Sequence, residues 1–503
     1  IKLGDFAAAK DGIEKLLTDF SEHKNIAKAV NKVADHYRWS KRYEKARQLY
    51  QYVVDNWPQA EYAIWSQKSL VISYIQFVDD PNADAAIEKL LANFSQHKQK
   101  ANAVNMLADE CSLLKRYRNA RRLYQYFVEN FPDSDSAIWA QQGVAISNIK
   151  LRDDDAAQYA VEKLITDFSE HKDIAKAVNK AADHYRWTAK YEKAKQLYQY
   201  VVDNWPQAEY AIWAQKSLAV SNMWLGDDPN ADVAIEKLLT DYSEHKQIAN
   251  AVNMLADEFT MLNRFDKARE LYQYVIDHRP EDDSAKRSEL EIAKTNVLSL
   301  IKSGDDAAAN QALDILIADF NDHPDVPTLF WIVAKRYEKL RKYAEARTVY
   351  QNIVTNYPGT NYAFGAQRNL VILYFSMKRN GEAQEALDKL VENSSGHIGL
   401  PRAISRIGKE YFNQAFWEEN KGRHEQAKDY YRKAIIVFER IIQGLSPSPT
   451  YTPDAYYFSA VCYESVGEYE KAMEFYQKII DNWPDYEHAS QAKFLINAVV
   501  PGS

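Results

Sequence analysis

Apolar and polar residues alternate along this chain with the three- and four-residue spacing of amphipathic helices. In the first such segment the apolar residues share one helical face; they are Ala27, Val30, Val33, Ala34 and Tyr37. A polar turn at residues 40–42 separates it from a second segment, whose apolar residues include Tyr43, Ala46, Tyr50 and Val53. Pro58 ends that segment, because proline cannot continue the helical hydrogen-bond ladder. The pattern predicts a helical hairpin of about 37 residues.

The same pattern recurs along the chain at an interval of about 74 residues, or two hairpins. Equivalent copies follow Ile13, Ile87, Val161 and Ile235, and further copies follow Leu313 and Leu387. Such self-similarity is typical of solenoids, in which each unit buries its apolar face only against its neighbours. We therefore expect an extended functional surface and no single catalytic pocket.

The order of small and aromatic residues within a hairpin resembles the tetratricopeptide repeat. The matching positions are Ala34, Tyr37, Tyr43, Ala46, Tyr50, Val53 and Pro58, and near the C-terminus Tyr456, Ala460, Tyr463, Gly467, Tyr469, Ala472, Tyr476, Ile479 and Pro484. The resemblance implies an all-α fold, an α-solenoid with a right-handed superhelix of about a dozen hairpins and an unpaired half-hairpin at each end. We expect tandem two-hairpin repeats over residues 1–397. Residues 398–503 are expected to form an elongated C-terminal module that closes with an unpaired helix.

Composition narrows the classes of function. The chain has 503 residues, with 63 Lys and Arg against 71 Asp and Glu, and a net charge of −8. This balance lacks the positive surface of a nucleic-acid-binding protein, so we expect no nucleic-acid partner. No apolar stretch approaches the roughly 20 residues of a membrane-spanning helix. The 34 tyrosines largely match structural positions of the repeat, so we expect most of them in the core.

Motifs that carry catalytic chemistry are missing from the sequence. It has no nucleophile elbow, phosphate-binding glycine loop, Cys-x-x-Cys pair or His-Glu-x-x-His helix. The histidines mostly recur within copies of SEHK, at His23, His171 and His245. A residue that was duplicated with its repeat is rarely catalytic, because an active site is needed once. We expect a non-catalytic protein with no catalytic residue, metal or cofactor.

Paired Asn and Asp residues recur on the first helix of each 74-residue copy. The two members of a pair are spaced i, i+4 and so share a helical face; the pairs are Asn31 and Asp35, Asn105 and Asp109, Asn179 and Asp183, and Asn253 and Asp257. The resemblance implies that these positions line a concave groove. There they would hydrogen-bond the backbone of an extended partner peptide. The alternative is that each pair bonds to the next hairpin or only faces solvent.

Two tryptophans stand beside arginines at the ends of these helices. Trp39 follows Arg38, and Trp187 follows Arg186. One interpretation is an aromatic platform in the groove for a sugar or a peptide side chain. The alternative is that each tryptophan packs on the adjacent loop.

The two ends of the chain are complementary in repeat phase. Aligned with the internal copies, Ile1 falls on Met223 and Val500 falls on Asn222. Two molecules placed head to tail would therefore complete one hairpin between them, which gives a ring or a filament. The residues expected in this contact are Ile1, Leu3, Ile13, Leu16, Leu17, Phe494, Leu495, Ile496, Val499 and Val500. The alternatives are a processed fragment and an ordinary capping helix.

The junctions between hairpins carry a further resemblance. The segments WPQAEYA, FPDSDSA and YPGTNYA are similar to junctions in bacterial cell-envelope tetratricopeptide proteins. This implies an extracellular or periplasmic location, with the cytoplasm as the alternative. The first functional hypothesis is a scaffold that assembles with copies of itself into a filament at or outside a bacterial cell surface. The second is a monomeric envelope adaptor that binds a partner peptide in its groove.

Overall fold

The computed structural model describes residues 6–40, 42–76, 80–94, 96–320, 323–444, 450–484 and 486–499. These residues form 26 α-helices and no strand. The predicted all-α solenoid is confirmed. Among the described helices, none is both long enough and apolar enough to cross a membrane.

The helices follow one another with short connections. The first fifteen are α1 (Phe6–Asp19), α2 (Ile26–Trp39), α3 (Tyr43–Asn56), α4 (Ala63–Gln76), α5 (Asp80–Asn93), α6 (Lys100–Leu113), α7 (Tyr117–Asn130), α8 (Ala137–Leu151), α9 (Asp154–Asp167), α10 (Ile174–Trp187), α11 (Tyr191–Asn204), α12 (Ala211–Leu225), α13 (Asp228–Asp241), α14 (Ile248–Met261) and α15 (Phe265–His278). The others are α16 (Asp283–Ser303), α17 (Asp306–Phe320), α18 (Val326–Lys339), α19 (Tyr343–Asn356), α20 (Asn361–Ser376), α21 (Asn380–Asn393), α22 (Leu400–Asn420), α23 (His424–Gly444), α24 (Tyr451–Val466), α25 (Tyr469–Asn482) and α26 (Ala489–Val499).

These helices pair as the repeat pattern predicts. Within the described residues, twelve hairpins run from α2–α3 to α24–α25, with α1 before them and α26 after them. A residue with positive φ makes the turn inside many hairpins, because the chain must leave the first helix in a left-handed conformation. Such residues recur every 37 positions at Lys115, Arg152, Ala189, Gly226 and Asn263. This regularity confirms the predicted hairpin length.

Small and aromatic side chains form the interior of the hairpins. Ala34 and Ala46, which have no exposed surface, lie in one cluster with Tyr37 and Tyr50. Seven tyrosines are among the largest fully buried side chains: Tyr37, Tyr50, Tyr198, Tyr272, Tyr337, Tyr350 and Tyr476. The expected core role of tyrosine is confirmed at these positions.

The chain divides into two compact units, residues 1–289 and 290–503. The first contains α1 to α15 and the start of α16, and the second contains the rest. The division predicted between residues 397 and 398 concerns the repeat pattern and stays a prediction. The elongation on which it rests is present, since α22 and α23 have 21 residues each whereas α2 and α3 have 14.

Candidate functional site

Each aspartate of the Asn/Asp ladder accepts a hydrogen bond from a tyrosine of its own hairpin. Tyr198 Oη lies 2.6 Å from Asp183 Oδ1, and the tyrosine is always fifteen residues after the aspartate. The equivalent pairs are Tyr50–Asp35 at 2.6 Å, Tyr124–Asp109 at 2.7 Å and Tyr272–Asp257 at 2.6 Å. These carboxylates therefore join the two helices of a hairpin, and one oxygen of each is already occupied.

The asparagines of the ladder face the next hairpin. Ser66 Oγ donates to Asn31 Oδ1 at 2.7 Å, and Ser288 Oγ donates to Asn253 Oδ1 at 2.7 Å. Asn105 and Asn179 lack this serine, because the position 35 residues later holds Ala140 and Ala214. Among the described residues, Oδ1 of Asn105 and Oδ1 of Asn179 have no hydrogen-bond partner. The aspartates thus contribute to packing within their hairpins, and Asn31 and Asn253 contribute to packing between hairpins. The role of the ladder in binding a partner peptide stays a prediction.

The arginines beside the two tryptophans form ion pairs across hairpins. Arg186 Nη1 of α10 lies 3.2 Å from Glu258 Oε1 of α14. The side chain of Lys216 is buried and interacts with the charges of both residues. Burial, and after it the charge of Arg186, lowers the pKa of the Lys216 ammonium group. In the preceding copies, Glu110 takes the place of Glu258 and lies 3.6 Å from Arg38 and 3.1 Å from Lys68. These ion pairs consequently connect different hairpins of the repeat array.

The tryptophans themselves point to solvent. Trp39 is 66% exposed and Trp187 is 61% exposed. The equivalent positions on α6 and α14 are occupied by Leu113 and Met261, which are 81% and 66% exposed. An exposed large apolar side chain therefore ends the first helix in four successive 74-residue copies. Exposed apolar surface of this kind marks interaction sites more often than an isolated apolar residue does.

Around Trp187 the exposed surface is both aromatic and basic. We define the Trp187 patch as Trp139 and Lys150 of α8 together with Lys176, Lys180, His184 and Trp187 of α10. Lys150 Nζ lies 5.9 Å from the centroid of the Trp187 ring. Lys176 and Lys180 place their Nζ atoms 5.4 and 5.7 Å from the centroid of the Trp139 ring. His184 meets Trp187 edge to face, with ring centroids 4.7 Å apart. These contacts form two groups along the two helices, one at Trp139 and one at Trp187, and the charge of Lys180 acting on His184 links them.

The electrostatics of the Trp187 patch favour a negatively charged ligand. Burial and then the charges of Lys150 and Lys180 lower the pKa of His184 to about 4, so the ring is neutral at pH 7. Among the described residues, His184 Nδ1 has no hydrogen-bond partner. Within the described residues, no carboxylate oxygen lies within 4.0 Å of the ammonium nitrogen of Lys150, Lys176 or Lys180. Carboxylates of a ligand could therefore approach three ammonium groups that form no ion pair of their own.

The side chains predicted for self-assembly divide into three groups. Ile13, Leu16 and Leu17 are partly buried against the clusters formed by α2 and α3. Leu495 and Ile496 are partly buried against the chain's own core, whereas Phe494 is 70% exposed. Ile1, Leu3 and Val500 lie outside the described residues, as does the side chain of Val499.

Two recurring polar contacts were not anticipated from the sequence. Four buried glutamines donate to a backbone carbonyl nineteen residues later: Gln67 to Ala86, Gln141 to Ala160, Gln215 to Ala234 and Gln367 to Ala386. The SEHK histidines accept a backbone N–H two residues later, as His171 Nδ1 does from Asp173 at 3.1 Å. Recurrence in several copies was the available signal for both, and it indicates structural roles.

Comparison with known proteins agrees with the repeat pattern. The tetratricopeptide repeat family model matches residues 418–487 and residues 333–360. A search of curated proteins gives no match.

Solved structures with a similar helical arrangement include three with low identity. A structure of Naa15/Naa10 bound to HypK-THB is 13% identical, with a TM-score of 0.35, over 97% of this chain and 74% of that one. Pseudomonas aeruginosa pilF is 17% identical, with a TM-score of 0.27, over 46% of this chain and 96% of that one. A tetratricopeptide repeat protein from Parabacteroides merdae is 12% identical, with a TM-score of 0.25, over 65% and 99%.

Proposed function

We propose that this chain, which carries tetratricopeptide repeats, is a non-catalytic scaffold whose Trp187 patch binds an acidic segment of a partner protein. A protein-interaction scaffold is the function that such repeats support. The observation that carries the finer proposal is the contact of three lysines with two tryptophans on one face of α8 and α10.

Charge and shape together select the class of partner. The whole chain carries a net charge of −8, so a local group of lysines without ion pairs departs from its surroundings. Asp183, whose carboxylate acts on Lys180, already accepts a hydrogen bond from Tyr198. An extended acidic segment with aromatic or aliphatic side chains would pair its carboxylates with the lysines and cover the exposed ring of Trp187.

A labelled random copolymer of glutamate and tyrosine is a suitable probe, with binding measured by fluorescence anisotropy. We expect Lys150→Glu with Lys180→Glu to weaken binding about tenfold or more, because close charge pairs are reversed. The matched control is Lys24→Glu with Lys172→Glu, which makes the same change in net charge at two exposed turn lysines. Equal loss in both double variants would show that only net charge matters and would overturn the proposal.

A second candidate function is self-association through α26, which Phe494 favours because its ring is 70% exposed. In the head-to-tail arrangement expected from the sequence, α26 of one molecule would contact α1 of the next. Sedimentation velocity tests this candidate. Phe494→Glu should dissociate the assemblies, and Phe416→Glu, at a ring 56% exposed on α22, should leave them intact. A wild-type chain that sediments as a monomer at high concentration would contradict self-association.

The location in a bacterial cell envelope is also a proposal, and the resemblance of the hairpin junctions supports it. Fractionation of cells that express the native gene would test it. Recovery of the protein in the cytoplasmic fraction alone would contradict it.

A further inference from the structure

Two segments of the chain can be compared residue by residue. Residues 43–97 and 343–397 contain the same order of helices, and each residue of the second corresponds to the one 300 positions earlier. Thus α3 matches α19, α4 overlaps α20 and α5 matches α21. A difference between equivalent side chains can therefore be assigned to sequence and not to a change of fold.

One difference lies at the end of α21. Five copies carry an aromatic residue at this position, directly before the serine or asparagine that precedes the recurring histidine by two; they are Phe20, Phe94, Phe168, Tyr242 and Phe320. The sixth copy has Ser394. The side chains of Phe94 and Tyr242 are buried, at 5% and 8% exposure. Ser394 therefore lacks a ring that is buried in two copies, partly buried at Phe168 and Phe320, and exposed at Phe20.

A cavity of about 650 Å³ opens beside Ser394. It extends between the end of α19, the start of α20 and the turn after α21, with Val354, Phe364 and His397 in its wall. The equivalent wall is more covered in the copy that carries Phe94. Val54 and Ile64 are buried, whereas Val354 and Phe364 are only partly buried. Apolar surface of Val354 and Phe364 thus stays open beside Ser394.

The wall of the cavity is ordered by its own contacts. The Phe364 and His397 rings stack with centroids 3.9 Å apart and an angle of 18° between their planes. His397 Nδ1 accepts the backbone N–H of Gly399 at 3.1 Å, and His397 Nε2 lies 3.1 Å from Asn361 Oδ1. The described residues that line the cavity include no Asp, Glu, Lys or Arg. The cavity therefore suits an uncharged, flat group, since a buried charge would find no partner there.

We infer that the Ser394 cavity binds the aromatic side chain of a partner protein, at the position where two other copies bury Phe94 and Tyr242 of their own. The inference rests on the proposed protein-binding function but not on the Trp187 patch, because the cavity lies wholly within the second unit. A neutral aromatic ring gains from burial against Val354 and from stacking on the Phe364–His397 pair. Ser394 gives specificity by its size, because any larger side chain at this position would occupy the same space.

The probe for the test is N-acetylphenylalaninamide, and N-acetylglycinamide is its control. Binding is followed by ligand-observed NMR with the full chain, and a dissociation constant on the order of a millimolar is expected for so small a probe. Ser394→Phe should abolish binding, because a phenylalanine ring at this position would occupy space in the cavity. Ser394→Leu provides a smaller filler with the same expected loss. Ser376→Phe, at an exposed position on α20 outside the cavity, should leave binding unchanged.

Three results would overturn the inference. They are binding of N-acetylphenylalaninamide no stronger than that of N-acetylglycinamide, retention of binding in folded Ser394→Phe and Ser394→Leu, and equal loss in Ser376→Phe. The double change Lys150→Glu with Lys180→Glu separates this site from the Trp187 patch. It should leave binding of the aromatic probe unchanged even if it removes binding of the acidic copolymer.

Discussion

Tyr198 donates a hydrogen bond to Asp183 across the two helices of one hairpin, with 2.6 Å between Tyr198 Oη and Asp183 Oδ1. Burial raises the pKa of Asp183, and the tyrosine and Arg186 oppose that shift. The same contact holds each of the four copies that carry the Asn/Asp ladder. What the sequence presents as a surface motif is thus a link inside the hairpin.

Removal of this donor should destabilise the chain. We expect Tyr198→Phe to lower the free energy of unfolding by about 2 kcal/mol, because a buried carboxylate loses a hydrogen bond. Urea unfolding followed by circular dichroism measures the change. Tyr159→Phe is the control, since Tyr159 is 61% exposed. Equal urea midpoints for the two variants would contradict the structural role of the pair.

Addition of the hydroxyl that is missing beside Asn179 should stabilise the chain. Ala214 occupies the position from which Ser66 and Ser288 donate to ladder asparagines in other copies. Ala214→Ser is therefore expected to satisfy Asn179 Oδ1 and to raise the free energy of unfolding by about 1 kcal/mol. Ser66→Ala should lower it by a similar amount. Destabilisation by both changes would show that the space beside Asn179 cannot accept the hydroxyl.

The turn between α10 and α11 offers a backbone test. Ala189 has φ of +59°, and Gly226 occupies the equivalent place in the next hairpin with φ of +75°. Ala189→Gly should raise the melting temperature by relieving about 1 kcal/mol of left-handed strain. Gly226→Ala should lower it through the same left-handed strain, and clashes with other residues are not involved, because a Cβ there would meet nothing within 4 Å. The two changes in melting temperature must have opposite signs. Changes in the same direction would contradict the left-handed backbone conformation of this turn.

Mild acid should weaken the fold through its buried histidines. His184 has a folded pKa of about 4 against an ordinary 6.5, chiefly because of burial, and burial also lowers the pKa of His97. The unfolded chain therefore takes up protons first, so this stability is present above pH 6.5 and is lost as the pH falls towards 4. The fall in melting temperature between pH 7 and pH 5 should be smaller in His184→Gln than in the wild type. An identical fall would exclude His184 as a contributor.

Much of the fold follows from local pattern. The spacing of Tyr43, Ala46 and Tyr50 fixes one helical face, and a 37-residue repeat leaves few ways to stack the hairpins. The site is different, because its contacts join residues whose proximity depends on how neighbouring hairpins cross. Trp139 and Lys180 meet across α8 and α10, and no spacing rule within one helix pairs them.

The aligned copies contain two further signals about the candidate sites. Ser394 interrupts a column of aromatic residues, and the replacement of the serine by Ala140 and Ala214 predicts which two ladder asparagines lack a donor. Both signals are visible in the sequence. Their meaning depends on burial, since a missing ring leaves a cavity only where the ring would have been covered.

The most direct test of the account is hydrogen–deuterium exchange of the full chain with and without the copolymer of glutamate and tyrosine. If the Trp187 patch is the binding surface, the copolymer should slow exchange in residues 137–151 and 174–187, the helices α8 and α10 that carry the patch. The effect should disappear in Lys150→Glu with Lys180→Glu and persist in Lys24→Glu with Lys172→Glu. Protection confined to other helices while the copolymer remains bound would contradict the central claim that this patch is the binding surface.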